Sequence, residues 1–215
     1  DSNVILGDEL HVLYGREWIE DELMGLKFRI SPLSFYQVNP VQTKHLYETA
    51  LEFADLKGGE KVWDICCGIG TITLAAADRL RSLGGGHVLG LEIVPRAVEN
   101  AKENAALNGF DDVEFVCAPA EKYLPEYAAR CGVENKPDVV IADPPRAGLE
   151  REVVDALLFA APEKIVYVSC DPATLARDAA LLTAGGYEPL RVRAVDMFAH
   201  SSHIETCMLF KRSGI

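Results

Sequence analysis

The stretch VWDICCGIGTITLA, residues 62–75, packs a strand, a turn and the start of a helix into a single run. Val62 to Ile65 has the apolar make-up of a buried strand, and the Gly68-Ile69-Gly70 turn breaks it before a helix begins. Glycines at a strand-to-helix junction let a ligand come close to the backbone amides that open the helix. The spacing alone leaves two readings, a ligand loop or a tight structural turn. A nicotinamide fingerprint is disfavoured, because Thr73 stands where G-x-G-x-x-G needs its third glycine.

Outward from this stretch, strand and helix alternate from Glu60 onward, with strands expected near 61–66, 87–93, 113–118, 138–143 and 164–170. Helices fill the gaps, and the best period lies in PRAVENAKENAALNG, where Gly109 supplies the stop. Asn39-Pro40-Val41-Gln42 opens a further amphipathic helix running to about Ala54, with Asn39 as cap, Pro40 at the first position and Gln42 placed to reach back. After the helix that begins at Pro172 come YEPLRVRAVDMF and HIETCMLFKR with no helix between them, which requires an antiparallel hairpin at the end of the sheet. The expected architecture is α/β: a mostly parallel, doubly wound seven-stranded sheet. Residues 39–215 form its main unit, and residues 1–38 form a β-rich appendage with strand-like segments VILGD, LHVLYG and LKFRIS.

A chain of 215 residues with 49% hydrophobic content is sized for one large domain. Its longest apolar runs fall well short of the ~20 residues that span a bilayer, and DSNVILGDELH lacks the basic-then-apolar order of a signal peptide. The cysteines, at 66, 67, 117, 131, 170 and 207, contain no C-x-x-C, so neither a zinc knuckle nor a redox pair is written in their spacing. No metal is expected, and a reducing, cytoplasmic setting fits. The net charge of −12 is unusual for a protein that would grip nucleic acid through phosphates, so an RNA partner would have to be held largely from elsewhere.

Ligands of an open parallel sheet bind outside the carboxyl ends of its strands, and polar residues collect there. Asp64 is near the end of the first strand. Glu92 ends the second, twenty-two positions after Gly70, where an acid can accept from both hydroxyls of a ribose or simply cap a helix. Asp143 ends the fourth, in VVIADPPRAGL, followed by two prolines that stiffen the backbone. The fifth ends in IVYVSCDPATLARD, with Asp171 as N-cap and Pro172 at the first helical position, so Cys170 sits where strand hands over to helix. That thiol reads either as a small buried apolar group or as a nucleophile. The helix dipole lowers its pKa, and the nearby acids oppose that. Glu205, near the start of HIETCMLF, falls at the same edge because an antiparallel strand begins where its parallel neighbours end. Its apolar neighbours raise a carboxylate's pKa and suit it to proton exchange.

Taken together, FYQVNPVQ, DICCGIGT, GLEIV, ADPPRAGL, YVSCDPATLARD and DMFAHSSHIETCMLF resemble, in order and spacing, the RNA uracil-5-methyltransferase family, over about residues 28–212. The resemblance implies a Rossmann-like class I methyltransferase fold with S-adenosyl-L-methionine as cofactor. It also implies Cys170 as nucleophile and Glu205 as general base. Gln37, Cys66, Thr71, Glu92 and Asp143 match the family's cofactor contacts, beside Asp64 and the Gly68–Gly70 turn. Arg146 and His200 are candidates for contacts to RNA or to uracil oxygens. The chain departs from the family where Cys66 replaces an aromatic residue, Thr71 an asparagine and Pro119 an acid near the adenine. Family members usually carry an N-terminal RNA-binding β-barrel as well, and the −12 charge fits a catalytic domain with a remnant of the central region.

The implied chemistry explains the thiol. Carbon 5 of uracil is a poor nucleophile until a thiolate adds to carbon 6, and the proton left on carbon 5 must then be removed before the thiol can leave. The target is an unpaired or flipped uridine, in ribosomal or transfer RNA, since a stacked and paired base cannot be attacked on its face. An amino-group methyltransferase is the nearest alternative, but Arg146 stands where its stacking ring belongs. A non-catalytic S-adenosylmethionine or RNA-binding protein would have no use for both Cys170 and Glu205.

Overall fold

The computed structural model describes residues 10–32, 34–130, 132 and 135–214. A small antiparallel hairpin, β1 (Ile19–Leu23) and β2 (Leu26–Ile30), comes first, followed by helix α1 (Pro40–Ala54). Strand and helix then alternate through β3 (Lys61–Ile65), α2 (Thr71–Ser82), β4 (His87–Glu92), α3 (Pro95–Leu107), β5 (Glu114–Cys117), α4 (Ala120–Arg130), β6 (Val139–Ala142), α5 (Arg151–Ala160), β7 (Lys164–Ser169) and α6 (Pro172–Ala184). The chain ends on β8 (Tyr187–Val195) and β9 (Glu205–Arg212). The seven strands from β3 onward form one sheet in the order β5-β4-β3-β6-β7-β9-β8, parallel except for β9, which is antiparallel to both β7 and β8. This is the expected Rossmann-like α/β sheet with its C-terminal hairpin, and the last strand is inserted between β7 and β8.

Alternation within each strand sends side chains to two cores. Val62, Val88, Val139, Ile141, Val166 and Val168 pack with α1, α2, α3 and the small hairpin. Trp63, Ile65, Leu89, Val140, Ile165 and Tyr167 pack with α4, α5 and α6 on the other face. The helix signals behave as local chemistry requires. Asn39 accepts from the Gln42 amide at 3.2 Å and Pro40 opens α1, while Asp171 accepts from the amides of Ala173 and Thr174 and Pro172 opens α6. Gly109 follows the end of α3 at φ +69°, a conformation that favours glycine.

Two expectations for the first residues need comment. VILGD lies outside the described residues. LHVLYG is not a strand: Leu13 and Tyr14 are 96% and 97% exposed, and the hairpin forms instead from residues 19–30, whose Leu23, Leu26, Phe28 and Ile30 have a core to enter. The hairpin is docked by a row of asparagines, one turn apart, on α3. Asn108 takes the Lys27 amide at 2.9 Å and donates to the Lys27 carbonyl at 2.7 Å. Asn104 takes the Arg29 amide at 2.7 Å and donates to the Arg29 carbonyl at 3.2 Å. Each side-chain amide thus satisfies a residue on the free edge of β2 as a neighbouring strand would. Asn104 also donates to the Ile69 carbonyl at 3.2 Å, tying the hairpin to the glycine turn.

Candidate active site

The carboxyl edge of the sheet is built first by the turn after β3. Cys66, Gly68 and Gly70 have φ values of +65°, +55° and +85°, so the chain coils with left-handed residues at alternate positions and leaves backbone amides in a concave array. The two glycines have different reasons to be glycine. A Cβ on Gly70 would lie 3.1 Å from the Phe115 ring and 3.3 Å from Ala101, so Gly70 serves close packing where α2 starts. A Cβ on Gly68 would meet nothing within 4 Å, so this side of the turn is open to a ligand. Thr71, the first residue of α2, donates to the Tyr47 hydroxyl at 3.2 Å.

Four carboxylates gather along this edge. Asp64 is fully buried in β3, and one of its oxygens accepts from the Thr73 hydroxyl, which gives the residue in the place of the missing third glycine a function of its own. The other oxygen, Oδ1, is buried with no partner. Burial, and then the charge of Glu92, push the Asp64 carboxyl up to about 7. Glu92, 9% exposed, accepts from the Gly68 amide at 3.0 Å through one oxygen and from the Ile93 and Val94 amides at 2.8 and 2.9 Å through the other. It therefore holds the glycine turn against β4 and caps the approach to α3. Asp143 follows β6, with its amide bonded to the Ile65 carbonyl at 3.1 Å, and burial together with the charges of Glu205 and Asp64 raises its carboxyl well above the usual range. Gln37, 5% exposed in the loop before α1, has a buried Oε1 with no partner.

Cys170 and Glu205 meet across the β7–β9 ladder. The last registered pair is Ser169 with Thr206, so Cys170 and Glu205 occupy the next rung in an antiparallel register. Cys170 is half-buried, and burial, followed by the charge of Glu205, raises its thiol, with Arg146 pulling the other way. Burial and the acids therefore leave the thiol above its ordinary value although α6 starts beside it. Glu205 is 3% exposed, and its carboxyl is raised by burial and lowered by Arg146. Burial pushes the Cys66 thiol up to about 12, and the surrounding acids add to this.

Of the two proposed substrate contacts, Arg146 belongs to this group by charge, and its Nη2 lies 3.1 Å from Nδ1 of His203. His200 sits exposed in the turn of residues 198–201, at φ +65°. His203 escaped the sequence reading although it stands in the quoted DMFAHSSHIET; only its distance from Glu205, two residues, hinted at the site. Among the described residues no group of three His, Cys, Asp or Glu side chains could hold a metal ion, and no helix is long and apolar enough to cross a membrane. A cavity of about 910 Å³ lies elsewhere, beneath residues 10–21, and Gln37 is the only candidate residue on its walls.

An acidic edge with unpartnered buried acceptors suits a cationic ligand, and S-adenosylmethionine, with its sulfonium and ammonium groups, is one. Gln37 Oε1 and Asp64 Oδ1 lack donors, the open side of Gly68 leaves room, and positive charge would relieve the mutual repulsion of Asp64, Glu92 and Asp143.

The chain is 48% identical over 213 residues to an RNA methyltransferase of Clostridium tetani, covering 99% of this chain and 45% of the relative. It is 51% identical over 205 residues to an RNA methyltransferase of Halalkalibacterium halodurans, covering 95% and 43%. The chain thus spans about half the length of the curated relatives it matches. Among solved structures, the Pyrococcus abyssi tRNA (uracil-54, C5)-methyltransferase in complex with S-adenosyl-L-homocysteine superposes with a TM-score of 0.78 at 34% identity, over 92% of this chain and 45% of that one. A Geobacter metallireducens precorrin-6y C5,15-methyltransferase, at 18% identity and a TM-score of 0.65 over 86% of this chain and 94% of that one, shares the fold. A family model described as tRNA (Uracil-5-)-methyltransferase matches residues 10–213, and the chain belongs to that family.

Proposed function

We propose that this chain is the catalytic unit of an enzyme that methylates carbon 5 of a specific uridine in ribosomal or transfer RNA, through a covalent bond between Cys170 and the base. The observation that carries the reading is the placement of Cys170 just after β7 and Glu205 at the start of β9, one step beyond the Ser169–Thr206 pair, with the charge of Glu205 acting on the thiol, in a chain of this family. S-adenosyl-L-methionine, when bound, supplies an electrophilic methyl group for carbon 5. Gln37, Asp64, Cys66, Gly68, Gly70, Thr71, Glu92 and Asp143 are the residues we assign to holding it. Cys170 adds as thiolate to carbon 6 of the uracil and makes carbon 5 nucleophilic. Glu205 then takes the proton from carbon 5, so that the carbon 6–sulfur bond breaks and the thiolate is released. Burial raises its carboxyl, which favours its taking up a proton. In the same reading residues 39–215 are the methyltransferase unit and residues 1–38 the remnant of a central domain.

The test separates the two residues. Cys170→Ala forms no adduct with RNA. Glu205→Gln still permits addition and methylation, so it accumulates an RNA adduct that already carries the methyl group, is joined through Cys170 and survives denaturing electrophoresis. Normal turnover by Glu205→Gln, or a trapped peptide containing another cysteine, overturns the assignment. A non-catalytic binding protein would give no adduct with 5-fluorouridine RNA from either the wild-type chain or the variants.

A further inference from the structure

The loop after β6 carries Asp143 and Arg146, and its path is held from α6. Residues 145–148 form a turn closed by the Gly148 amide on the Pro145 carbonyl at 2.8 Å, with Arg146 in its first central position. From the second turn of α6, Arg177 donates through Nη2 to the carbonyls of Ala147 at 2.9 Å and Leu149 at 3.2 Å. Asp178, fully buried, accepts from the Leu149 amide at 2.8 Å and from the Tyr167 hydroxyl of β7 at 2.7 Å, both through Oδ2. Its other oxygen accepts from Arg177 Nε at 2.8 Å. The loop is pressed so closely onto this pair that a Cβ on Gly148, already at φ +78°, would lie 2.5 Å from the Asp178 carboxylate and 2.6 Å from Arg177 Nη2. The helix that starts beside Cys170 therefore also grips the loop that bears Arg146, so the two halves of the site share one rigid element.

We propose that Arg177 and Asp178 are positioning residues, which hold the turn of residues 145–149 so that Arg146 faces Cys170 and Glu205. The proposal rests on Cys170 being the reactive thiol of the proposed function. Its physical basis is that one guanidinium nitrogen, Nη2, donating to two carbonyls while Nε is held by a buried carboxylate that also takes the Leu149 amide, fixes three backbone groups at once. Burial raises the Cys170 thiol most, and Glu205 from β9 and Asp143 from the same loop add to it; among the described residues Arg146 is the cation whose charge lowers it, so its placement bears on how readily the thiolate forms.

The experiment is the pH dependence of Cys170 alkylation by iodoacetamide, read by mass spectrometry on the Cys170 peptide so that the other cysteines do not interfere. Arg177 is half-exposed, but Arg177→Leu takes the donor from Oδ1 of the buried Asp178, so thermal melting checks that it folds. The expected result is an upward shift of the alkylation midpoint in Arg177→Leu, in the same direction as in Arg146→Ala and with no further shift in the double variant. Arg177→Lys, which keeps a cationic donor for the carbonyls but loses the Nε donor that Asp178 holds, falls between Leu and wild type. It serves as the second variant if Arg177→Leu does not fold. Methylation falls on the order of 10- to 100-fold in Arg177→Leu, the scale of an ångström-sized misplacement. A wild-type midpoint in the Arg177 variants, or shifts that add in full to that of Arg146→Ala, overturns the proposal. Because alkylation needs neither RNA nor turnover, it is independent of the adduct test, and failure of either one does not decide the other.

Discussion

Arg146 and His203, fifty-seven residues apart in sequence, meet through Nη2 and Nδ1 at 3.1 Å, and the charge of Arg146 acts on both Cys170 and Glu205. Arginine can only donate, so His203 accepts on Nδ1 and must carry its proton on Nε2. The Phe198 ring stands edge-on to the imidazole, with centroids 6.4 Å apart, and the His203 amide donates to Ser201 Oγ at 3.2 Å.

The tip of Arg146 is therefore oriented by His203 as acceptor. His203→Gln keeps an acceptor and should hold most of the activity, whereas His203→Leu should lose about 3- to 10-fold in kcat/KM, the scale of one net hydrogen bond at an exposed site. Steady-state kinetics checks this, and equal losses in Gln and Leu would remove His203 from the site.

Asp64 should make the protein less stable at higher pH when no ligand is bound. Its folded-state value of about 7 lies above the ~3.9 of an unfolded aspartate, so between those values the folded protein keeps a proton that the unfolded chain has released. Its contribution to stability is thus fully present below about pH 4, declines as pH rises and levels off above about pH 7. Urea unfolding of Asp64→Asn should show a shallower decline, with Asp143 accounting for the remainder. S-adenosylmethionine affinity should in turn increase from pH 6 to 8 in the wild type, because a cation favours the ionised carboxylate. An unchanged slope in Asp64→Asn would assign the titration elsewhere.

Asn104 should matter for fold and cofactor together. Asn104→Leu leaves the Arg29 amide, the Arg29 carbonyl and the Ile69 carbonyl without their partners, at about 1–3 kcal/mol for each group that stays buried and unpaired. We expect a total loss of about 3 kcal/mol in denaturant unfolding, at least twice that of Asn108→Leu at the exposed end of the row, together with weaker S-adenosylmethionine binding through the loosened glycine turn. Equal destabilisation by the two variants would count against a buried role for Asn104.

The sheet strands, the helix starts at Asn39 and Asp171, the stop at Gly109 and the final hairpin were legible in the sequence, because each depends on residues within a turn or a strand length of one another. The strand ends also located the edge where Asp64, Glu92, Asp143, Cys170 and Glu205 collect, since parallel topology leaves little choice of edge. The tertiary structure decided what those groups are bonded to. Thr73 read only as a missing glycine until Asp64 was folded against it. Glu92 read as a ribose ligand or a cap, and it also holds the Gly68 amide. The asparagine row on α3 read as helical period, and LHVLYG read as a strand, because the docking that selects residues 19–30 as the hairpin depends on partners 75 or more residues away. Arg177 and Asp178 stood inside a quoted motif without a role until the loop of residues 145–149 was seen against them. Local preference is written in neighbouring residues; burial, and the partner that makes a buried polar group tolerable, exist only once distant segments have packed.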